Sequence, residues 1–254
     1  MSDAASPPAA TDCPVRPANG PSLRFGDFAE GYDVARPDYP AEAVEWLIDG
    51  YEGPIVEVGA GTGRFTRGLA ELGMTVLATE PDPAMLGILR RRVPGAHAIR
   101  ATAEELPLVD QCAGVVIAAQ TWHWLDTPRA WESVTRVLRP SGHLGVVWNG
   151  PSLGNSWQRE IAELGPTISP IRDGWWPQGI PRRGTQTRMI LWQELLTARQ
   201  VRDEHATHLA VRKLKEPQRS SYLNRVLQIA EAASGSGGYV AYERLTWCGR
   251  VPRA

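Results

Sequence analysis

The amino-acid sequence predicts an α/β fold, with a mostly parallel sheet and helices on both of its faces. The β-branched run at 55–58 leads into glycines at alternate positions and then into an apolar helical pattern. This is the strand, turn and helix that open a doubly wound sheet. A second apolar run, at 74–77, ends close to the acidic residue Glu80. A continuous apolar run at 112–119 is typical of a central parallel strand that is buried on both faces.

Length and charge limit the classes of protein that this chain can belong to. Its 254 residues are enough to bury a sizeable core, and its formal net charge of -1 provides no basic field for nucleic acid or an anionic membrane. The three cysteines are far apart and form no metal-ligand or disulfide spacing. The sequence has no apolar run of membrane-spanning length and no signal-peptide start. We therefore expect a cytoplasmic protein without metal, nucleic-acid or membrane partners, whose oligomeric state is unknown.

Apolar spacing, prolines and glycines predict the remaining elements of the first 150 residues. Prolines at 37 and 40 break a helical pattern that resumes over 41–49. Apolar residues at helical spacing follow the glycines, and a Pro-Asp-Pro sequence opens a helix that ends at Arg92. We expect a third strand at 96–99, another helix ending near residue 138 and a fifth strand at 144–148.

Beyond residue 151 the periodicity weakens, and the chain divides less clearly. We expect residues 1–22 to be a flexible tail and 23–254 a single domain. Within that domain we expect a cofactor-binding core with an N-terminal lid helix at 23–150. An acceptor-side elaboration is expected at 151–238 and a final strand at 239–254. Predicted elements after the fifth strand are helices near 157–164, 191–198 and 222–233, a strand at 207–211 and an antiparallel strand at 239–247.

The glycine-rich segment at 55–66, IVEVGAGTGRFT, distinguishes between several ligand-binding loops. Glycine allows the backbone to turn sharply and to approach a ligand closely, and the helix that follows points its free N–H groups at that ligand. A dinucleotide fingerprint would place its third glycine where Arg64 stands, and a P-loop would need Gly-Lys-Ser/Thr. The pattern here is instead E-x-G-x-G-x-G, which begins at Glu57.

This pattern resembles motif I of the class I S-adenosylmethionine-dependent methyltransferases, which have a Rossmann-like, seven-stranded sheet. Specific motifs carry the resemblance over 25–148, and the small-molecule members related to trans-aconitate methyltransferase are the most similar in type. It implies S-adenosylmethionine as cofactor and S-adenosylhomocysteine as product. Glu80, at the tip of the second strand, would accept hydrogen bonds from both ribose hydroxyls.

The resemblance also implies a set of residues that contact the cofactor. Tyr32 would shield the sulfonium and Arg36 would meet the methionine carboxylate, although Arg36 could instead cap a helix. Segment 102–104 would read the adenine edge, or it could be a structural turn with Glu105 exposed. The expected set is Tyr32, Arg36, Glu57, Gly59, Ala60, Gly61, Thr62, Gly63, Glu80, Pro81, Asp82, Met85, Thr102, Ala103, Glu104, Ala119 and Gln120.

The segment at 120–126, QTWHWLD, follows the fourth strand and holds the candidate catalytic residue. Ligands of open α/β sheets bind beyond the carboxyl ends of the strands, so this segment should face the site. His123 is one of five histidines and is the candidate proton acceptor. The alternative is a structural role, because related proteins carry a similar His-Trp pair whether or not a base is required. Trp122 is a candidate contact for the methyl acceptor.

Two tryptophans, Trp175 and Trp176, lie in a segment rich in proline and glycine, 165–187. Such a segment is a poor place to bury two indoles unless it closes over a ligand. We therefore expect a mobile lid over a planar or apolar acceptor, with both indoles in contact with it.

The function that these residues predict is methyl transfer to a small-molecule acceptor, of the kind used in secondary metabolism, by in-line displacement at the sulfonium methyl. An alternative is an S-adenosylmethionine-binding protein that no longer methylates and uses the cofactor structurally or for another reaction. A methyltransferase acting on RNA or protein is disfavoured by the near-neutral charge and by the absence of a separate recognition domain in this sequence.

Overall fold

The computed structural model describes residues 29–51, 53–165, 171 and 175–253. The predicted tail and the start of the predicted N-terminal lid helix lie outside these residues. The described chain is built on one sheet with seven strands: β1 (Ile55–Val58), β2 (Val76–Thr79), β3 (His97–Ile99), β4 (Ala113–Ala119), β5 (Leu138–Pro151), β6 (Gln186–Thr197) and β7 (Tyr239–Pro252).

The order of the strands is β3-β2-β1-β4-β5-β7-β6. The first five strands pair in parallel, and after β3 the chain crosses back to place β4 on the other side of β1. β7 lies antiparallel between β5 and β6. The predicted fold class, a mostly parallel seven-stranded sheet of the Rossmann-like type, is confirmed.

Nine α-helices occur in the described residues, and they connect or flank the strands. They are α1 (Ala29–Ala35), α2 (Ala41–Ile48), α3 (Arg64–Glu71), α4 (Pro83–Arg92), α5 (Thr127–Val137), α6 (Ser156–Glu163), α7 (Ala198–Thr207), α8 (Leu209–Arg212) and α9 (Gln218–Ala233). None of the helices in the described part of the chain is both long and apolar enough to cross a membrane.

The central strand β4 shows how the sheet is buried. Val116 and Ala118 belong to a core cluster that includes Val134 of α5, whereas Val115 and Ile117 belong to a second cluster that includes residues of α2 and α3. All four strand residues are fully buried. Because successive side chains of a strand point to opposite faces, a strand covered by helices on both sides must be apolar throughout. The continuous run in the sequence is therefore explained by burial on both faces.

Two predictions for the region after β5 are wrong. The expected helix at 191–198 is mostly the end of β6, in which Leu191 and Leu195 are 65% and 69% exposed. These residues are four positions apart, a spacing that imitates one face of a helix, but they lie on the open face of an edge strand. The expected strand at 207–211 is the junction of α7 and α8. The predicted elements α6, α9 and β7 are confirmed, and β7 continues to Pro252.

Candidate functional site

The carboxyl ends of β1, β2, β4 and β5 meet at one cavity of about 600 Å³. The volume is within the range of about 300–1,000 Å³ that is usual for small-molecule sites. Residues that follow these four strands form its floor, and three other segments complete it: residues 36–39 after α1, the tryptophan segment after α6 and the α7–α8 junction. The cavity is thus at the edge of the sheet where α/β proteins bind ligands.

The glycine loop after β1 has two glycines that line the cavity for different reasons. Gly59 has a φ of +61°, and a Cβ there would lie 2.3 Å from Oγ1 of Thr121, so packing excludes any side chain. Gly61 has a φ of +59°, and a Cβ there would have only Sδ of Met85 near it, at 3.9 Å. A side chain at position 61 would therefore project into the cavity and reduce it. Ala60 and Thr62 complete the lining here.

Glu80, at the end of β2, connects the loop to the next turn. Its Oε2 accepts a hydrogen bond from the Gly61 N–H and its Oε1 from the Asp82 N–H, both at 2.8 Å. Burial raises the pKa of Glu80 to about 7, although these two hydrogen bonds oppose the increase. Each carboxylate oxygen has a second lone pair. The group can therefore accept further hydrogen bonds from a ligand while it keeps the loop in place.

Glu57 lies beneath the loop and is almost completely buried. The Thr66 hydroxyl donates to its Oε2 at 2.5 Å. Burial, together with the charge of Glu80, raises the pKa of Glu57 to about 8 against the effect of that hydrogen bond. As the pH is lowered toward neutral, Glu57 is therefore protonated before Glu80.

Residues 36–40, called the strap below, connect α1 to α2 and contact α3 and β5. The Asp38 carboxylate forms ion pairs with Arg64, at 2.8 Å, and with Arg67, and both arginines belong to α3. The Asp38 carbonyl accepts a hydrogen bond from Nδ2 of Asn149 at 3.0 Å. These contacts join the strap to two of the elements that surround the cavity.

Arg36, at the start of the strap, reaches the α7–α8 junction. Its Nη2 donates to Nδ1 of His208 at 3.2 Å, and both residues line the cavity. A guanidinium can only donate, so Nδ1 of His208 accepts and the neutral ring carries its proton on Nε2. Burial and the nearby charge of Arg36 lower the pKa of His208 well below its ordinary value.

His123 lies in a short 3₁₀ turn, Trp122–Trp124, beyond the end of β4 and lines the cavity. The indole N–H of Trp148 donates to its Nδ1 at 3.1 Å. The ring centroid of His123 is 4.6 Å from that of Trp124. Burial lowers the pKa of His123.

Three indoles, those of Trp148, Trp175 and Trp176, form a surface that is called the aromatic wall below. The ring centroids of Trp148 and Trp175 are 5.4 Å apart and the rings meet edge to face. Trp247 of β7 supports the wall from behind, with its centroid 5.5 Å from each of the two loop tryptophans. Nε1 of Trp176 donates to the Ile180 carbonyl at 2.8 Å. The described part of the predicted lid thus packs on the sheet and faces the same cavity as Gly61.

Most of the predicted site residues come together in this cavity, and the others have different positions. Gly63 caps α3, and Asp82 caps α4 by accepting from the N–H groups of residues 84 and 85. Trp122 is fully buried, with its centroid 6.1 Å from that of Trp131. The side chain of Tyr32 lies outside the described part of the structure. The predicted residues that line the cavity are Arg36, Glu57, Gly59, Ala60, Gly61, Thr62, Glu80, Pro81, Met85, Ala119, Gln120, His123, Trp175 and Trp176.

The predicted adenine-edge segment, Thr102 to Glu104, is not part of the cavity lining. Ala103 is buried in the core, and Oε1 of Glu104 accepts from the N–H of Asp126 at 3.0 Å. Both contacts hold the 3₁₀ turn of this segment against the start of α5. Any contact of this segment with a ligand remains a prediction.

Three lining residues that matter most to the geometry were missed by the sequence reasoning. Trp148 and Asn149 stand near the carboxyl end of β5, at the same edge of the sheet as the end of β4. His208 lies in the segment 207–211, for which the sequence predicted a strand. Nothing local in the sequence indicates that it meets Arg36.

Comparisons with known proteins agree with this geometry. Residues 56–146 match a family model described as a methyltransferase domain. An uncharacterized methyltransferase of Mycobacterium tuberculosis is 37% identical over 238 residues, which cover 92% of this chain and 97% of that protein. A protein of Mycobacterium bovis, also described as an uncharacterized methyltransferase, has the same identity and coverage.

Solved structures support the fold. A candidate type II methyltransferase from Anaeromyxobacter dehalogenans is similar with a TM-score of 0.64 at 23% identity, over 86% of this chain and 97% of that one. A structure described under the conversion of a disulfide bond into a thioacetal group during echinomycin biosynthesis has a TM-score of 0.50 at 15% identity, over 90% and 91% of the two chains. At these identities the likeness concerns the fold alone.

Proposed function

We propose that this chain, which belongs to the class I S-adenosylmethionine-dependent methyltransferases, transfers a methyl group from S-adenosylmethionine to a small-molecule acceptor held in the same cavity. The observation that carries the proposal is the division of the cavity into two ends. Gly61 and Glu80 follow β1 and β2 on one side of β4, whereas the aromatic wall lies at β5 and β7 on the other side, so the two groups line different ends of the cavity. One end suits a nucleoside and the other suits a flat, apolar molecule.

The cofactor end fits S-adenosylmethionine in both shape and charge. Gly61 leaves the space that a Cβ would fill, and the buried Glu80 carboxylate would accept hydrogen bonds from the ribose hydroxyls. Met85 is a polarisable side chain suited to contact with adenine. Arg36, oriented by His208, would pair with the carboxylate of the methionine part. The cofactor, when bound, supplies a methyl group that its sulfonium has already activated.

At the acceptor end, the residues of this chain would have to align the acceptor and exclude water. Alignment of the nucleophile at about 3–3.5 Å and exclusion of water are the main contributions that a protein can make to such a displacement. The rings of Trp148 and Trp175 meet edge to face, Trp176 packs on Trp247 beside them, and these apolar surfaces suit an acceptor with a planar or apolar body. Residues beside them, among them His123, would orient the reacting atom.

The experiment that tests this function measures cofactor binding in wild-type protein and in two glycine variants. Calorimetry should show S-adenosylmethionine and S-adenosylhomocysteine binding at about micromolar affinity, which is roughly -8 kcal/mol, and no binding of NAD. Gly61→Val should abolish binding, because the new side chain enters the cavity. Addition of an acceptor should then yield S-adenosylhomocysteine with the wild-type protein.

Gly73→Val is the matched control for backbone strain. Gly73 has a φ of +74°, and a Cβ there would meet no heavy atom within 4 Å, but the residue lies outside the cavity lining. Both variants therefore carry the strain of a β-branched residue at positive φ. Gly73→Val should bind the cofactor normally. A folded Gly61→Val protein that binds like the wild type would contradict the proposed cofactor site.

A further inference from the structure

The hydrogen bond between Trp148 and His123 determines which ring nitrogen carries the proton. An indole N–H is a donor only, so Nδ1 of His123, at 3.1 Å from Nε1 of Trp148, must supply a lone pair. The neutral imidazole then carries its proton on Nε2. Trp148 is 6% exposed and packs against Trp175 and Trp247, with centroids at 5.4 and 5.7 Å. The donor is therefore held in place by its neighbours.

A ring in this state can donate a hydrogen bond but has no free site for a proton. Accepting one at Nδ1 would break the bond from Trp148. Accepting one at Nε2 would first require the other tautomer, in which two N–H groups face each other. Burial lowers the pKa of His123 below its ordinary value of 6.5, so the ring is neutral at physiological pH. The candidate base of the sequence is thus arranged as a donor.

The other titratable groups that line the cavity, within the described residues, do not replace it. Glu57 and Glu80 lie at the cofactor end, and Nδ1 of His208 already accepts from Arg36. Arg64 is paired with Asp38, and the Tyr39 ring packs edge to face against Phe65 of α3, with ring centroids 5.1 Å apart. The aromatic end therefore offers donors and apolar surface, and none of its described residues is placed to remove a proton.

We propose that the methyl acceptor is a carboxylate with an apolar, planar body, and that His123 is a positioning residue that donates Nε2–H to it. The inference rests on the proposed function and names the substrate class of the same site. A carboxylate is ionised at neutral pH and needs no base, whereas a hydroxyl or a protonated amine must lose a proton. A hydrogen bond from a fixed N–H to an anion is also stronger than one to a neutral group.

The reaction balances without a proton acceptor. One carboxylate oxygen forms a bond to the methyl carbon, and the carbon–sulfur bond breaks with its electron pair returning to sulfur. The positive charge of the sulfonium and the negative charge of the carboxylate disappear together. The products are a methyl ester and S-adenosylhomocysteine, and no proton is released. Nε2–H of His123 would hold the carboxylate oxygen that does not react.

The first test is the tautomer of His123, read by long-range ¹H–¹⁵N correlation in the full-length protein. The His123 signals are assigned by their loss in His123→Gln. The neutral ring should show the Nε2–H pattern at pH 7.5, and Trp148→Phe should shift it toward a mixture of tautomers. A wild-type ring with its proton on Nδ1 would overturn the assignment of His123 as a donor.

The second test is binding by the complex with S-adenosylhomocysteine. The probes are indole-3-acetate and trans-cinnamate, with tryptophol and cinnamyl alcohol as the matched alcohols. Each carboxylate should bind at least about tenfold more tightly than its alcohol, the range for a hydrogen bond to a charged group. Equal binding of the alcohols, or no binding of either carboxylate, would overturn the carboxylate assignment. Failure of S-adenosylhomocysteine itself to bind would instead contradict the proposed function.

Two substitutions separate a donor from a base. His123→Gln retains an N–H donor without a basic nitrogen, and His123→Phe retains only the ring shape. The carboxylate preference should survive in the glutamine variant and should be lost in the phenylalanine variant. With a carboxylate that is turned over, kcat of His123→Gln should stay within about tenfold of the wild type, whereas loss of a general base would lower it by about 10²–10⁴-fold. The larger loss would overturn the proposal.

Discussion

The affinity for S-adenosylmethionine should decrease as the pH is lowered through the titration of Glu80. In the cofactor-free protein burial raises the pKa of this carboxyl to about 7. Only the ionised form can accept hydrogen bonds at both oxygens while the Gly61 and Asp82 N–H groups remain bonded to it. Ribose hydroxyls would therefore select the ionised form and hold it ionised.

The size of the effect follows from that pKa. If the bound carboxyl titrates well below pH 5.5, the apparent dissociation constant scales with one plus the ratio of protonated to ionised Glu80. Between pH 7.5 and 5.5 this factor rises roughly 25-fold, which corresponds to about 2 kcal/mol. Above pH 7.5 little further gain is expected, because Glu80 is then mostly ionised. Binding at pH 6 should also release about 0.9 of a proton.

Calorimetry at several pH values, in buffers of different ionisation enthalpy, measures both the affinity and the proton release. Glu80→Gln is the control, because its amide does not titrate. The variant should bind more weakly by about 1.5–3 kcal/mol, the range for hydrogen bonds to charged groups, and its affinity should not change with pH in this window. A wild-type affinity that is independent of pH, or an equal slope in Glu80→Gln, would refute the assignment of Glu80.

Two further predictions concern stability and the aromatic wall. The contribution of Glu57 to the free energy of unfolding of the cofactor-free protein should fall by about 1–2 kcal/mol from pH 6.5 to 8, because the native pKa of Glu57, about 8, exceeds its ordinary value of 4.5 and the native state binds more protons at this group in that window. Urea titrations of the wild type and of Glu57→Gln should differ by this slope, and equal slopes would contradict it. Replacing both Trp175 and Trp176 with alanine should raise KM for the acceptor and leave cofactor binding nearly intact. Trp157→Ala, which lies outside the cavity lining, is the control. If the double variant lost as much affinity for the cofactor as for the acceptor, the division of the cavity into two ends would be contradicted.

Strands β1, β2 and β4 could be predicted because almost every residue in them is buried, which leaves short, mainly apolar runs in the local sequence. A parallel strand between two helical layers must be apolar throughout, as Val115 and Val116 illustrate by packing on opposite faces. Edge strand β6 is different: its outer residues Leu191 and Leu195 are exposed, so no burial pattern separates them from a helix. The four-residue spacing of these leucines led to the prediction of a helix, whereas pairing with β7 makes this segment a strand.

The features of the candidate site also fall into those that could be predicted from the sequence and those that could not. Gly61 and Glu80 could be predicted, because each follows a recognisable strand and ligands bind beyond strand ends. The bond from Trp148 to His123 could not, because it depends on how β4 and β5 align. Ala119 pairs with Val147 in that register, which brings the residues after both strands to the same edge. Long-range register is not contained in the spacing of either segment.

His123 and His208 both line the cavity, and in each ring Nδ1 accepts a hydrogen bond. The positive charge of the cofactor explains why a neutral ring suits the reaction. Nδ1 of His123 and Nδ1 of His208 each accept from a donor-only partner, and burial lowers both pKa values. Both rings are therefore neutral donors. A second positive charge at about 6 Å from the sulfonium would oppose its binding by roughly 3 kcal/mol at an effective dielectric constant of 20. The neutral N–H of His123 orients an anionic acceptor without this repulsion, because it provides a directed dipole instead of a charge, whereas the charge of Arg36 would be paired with the carboxylate of the cofactor. The cavity can then hold a cationic methyl donor and an anionic methyl acceptor together, and the reaction that joins them cancels both charges.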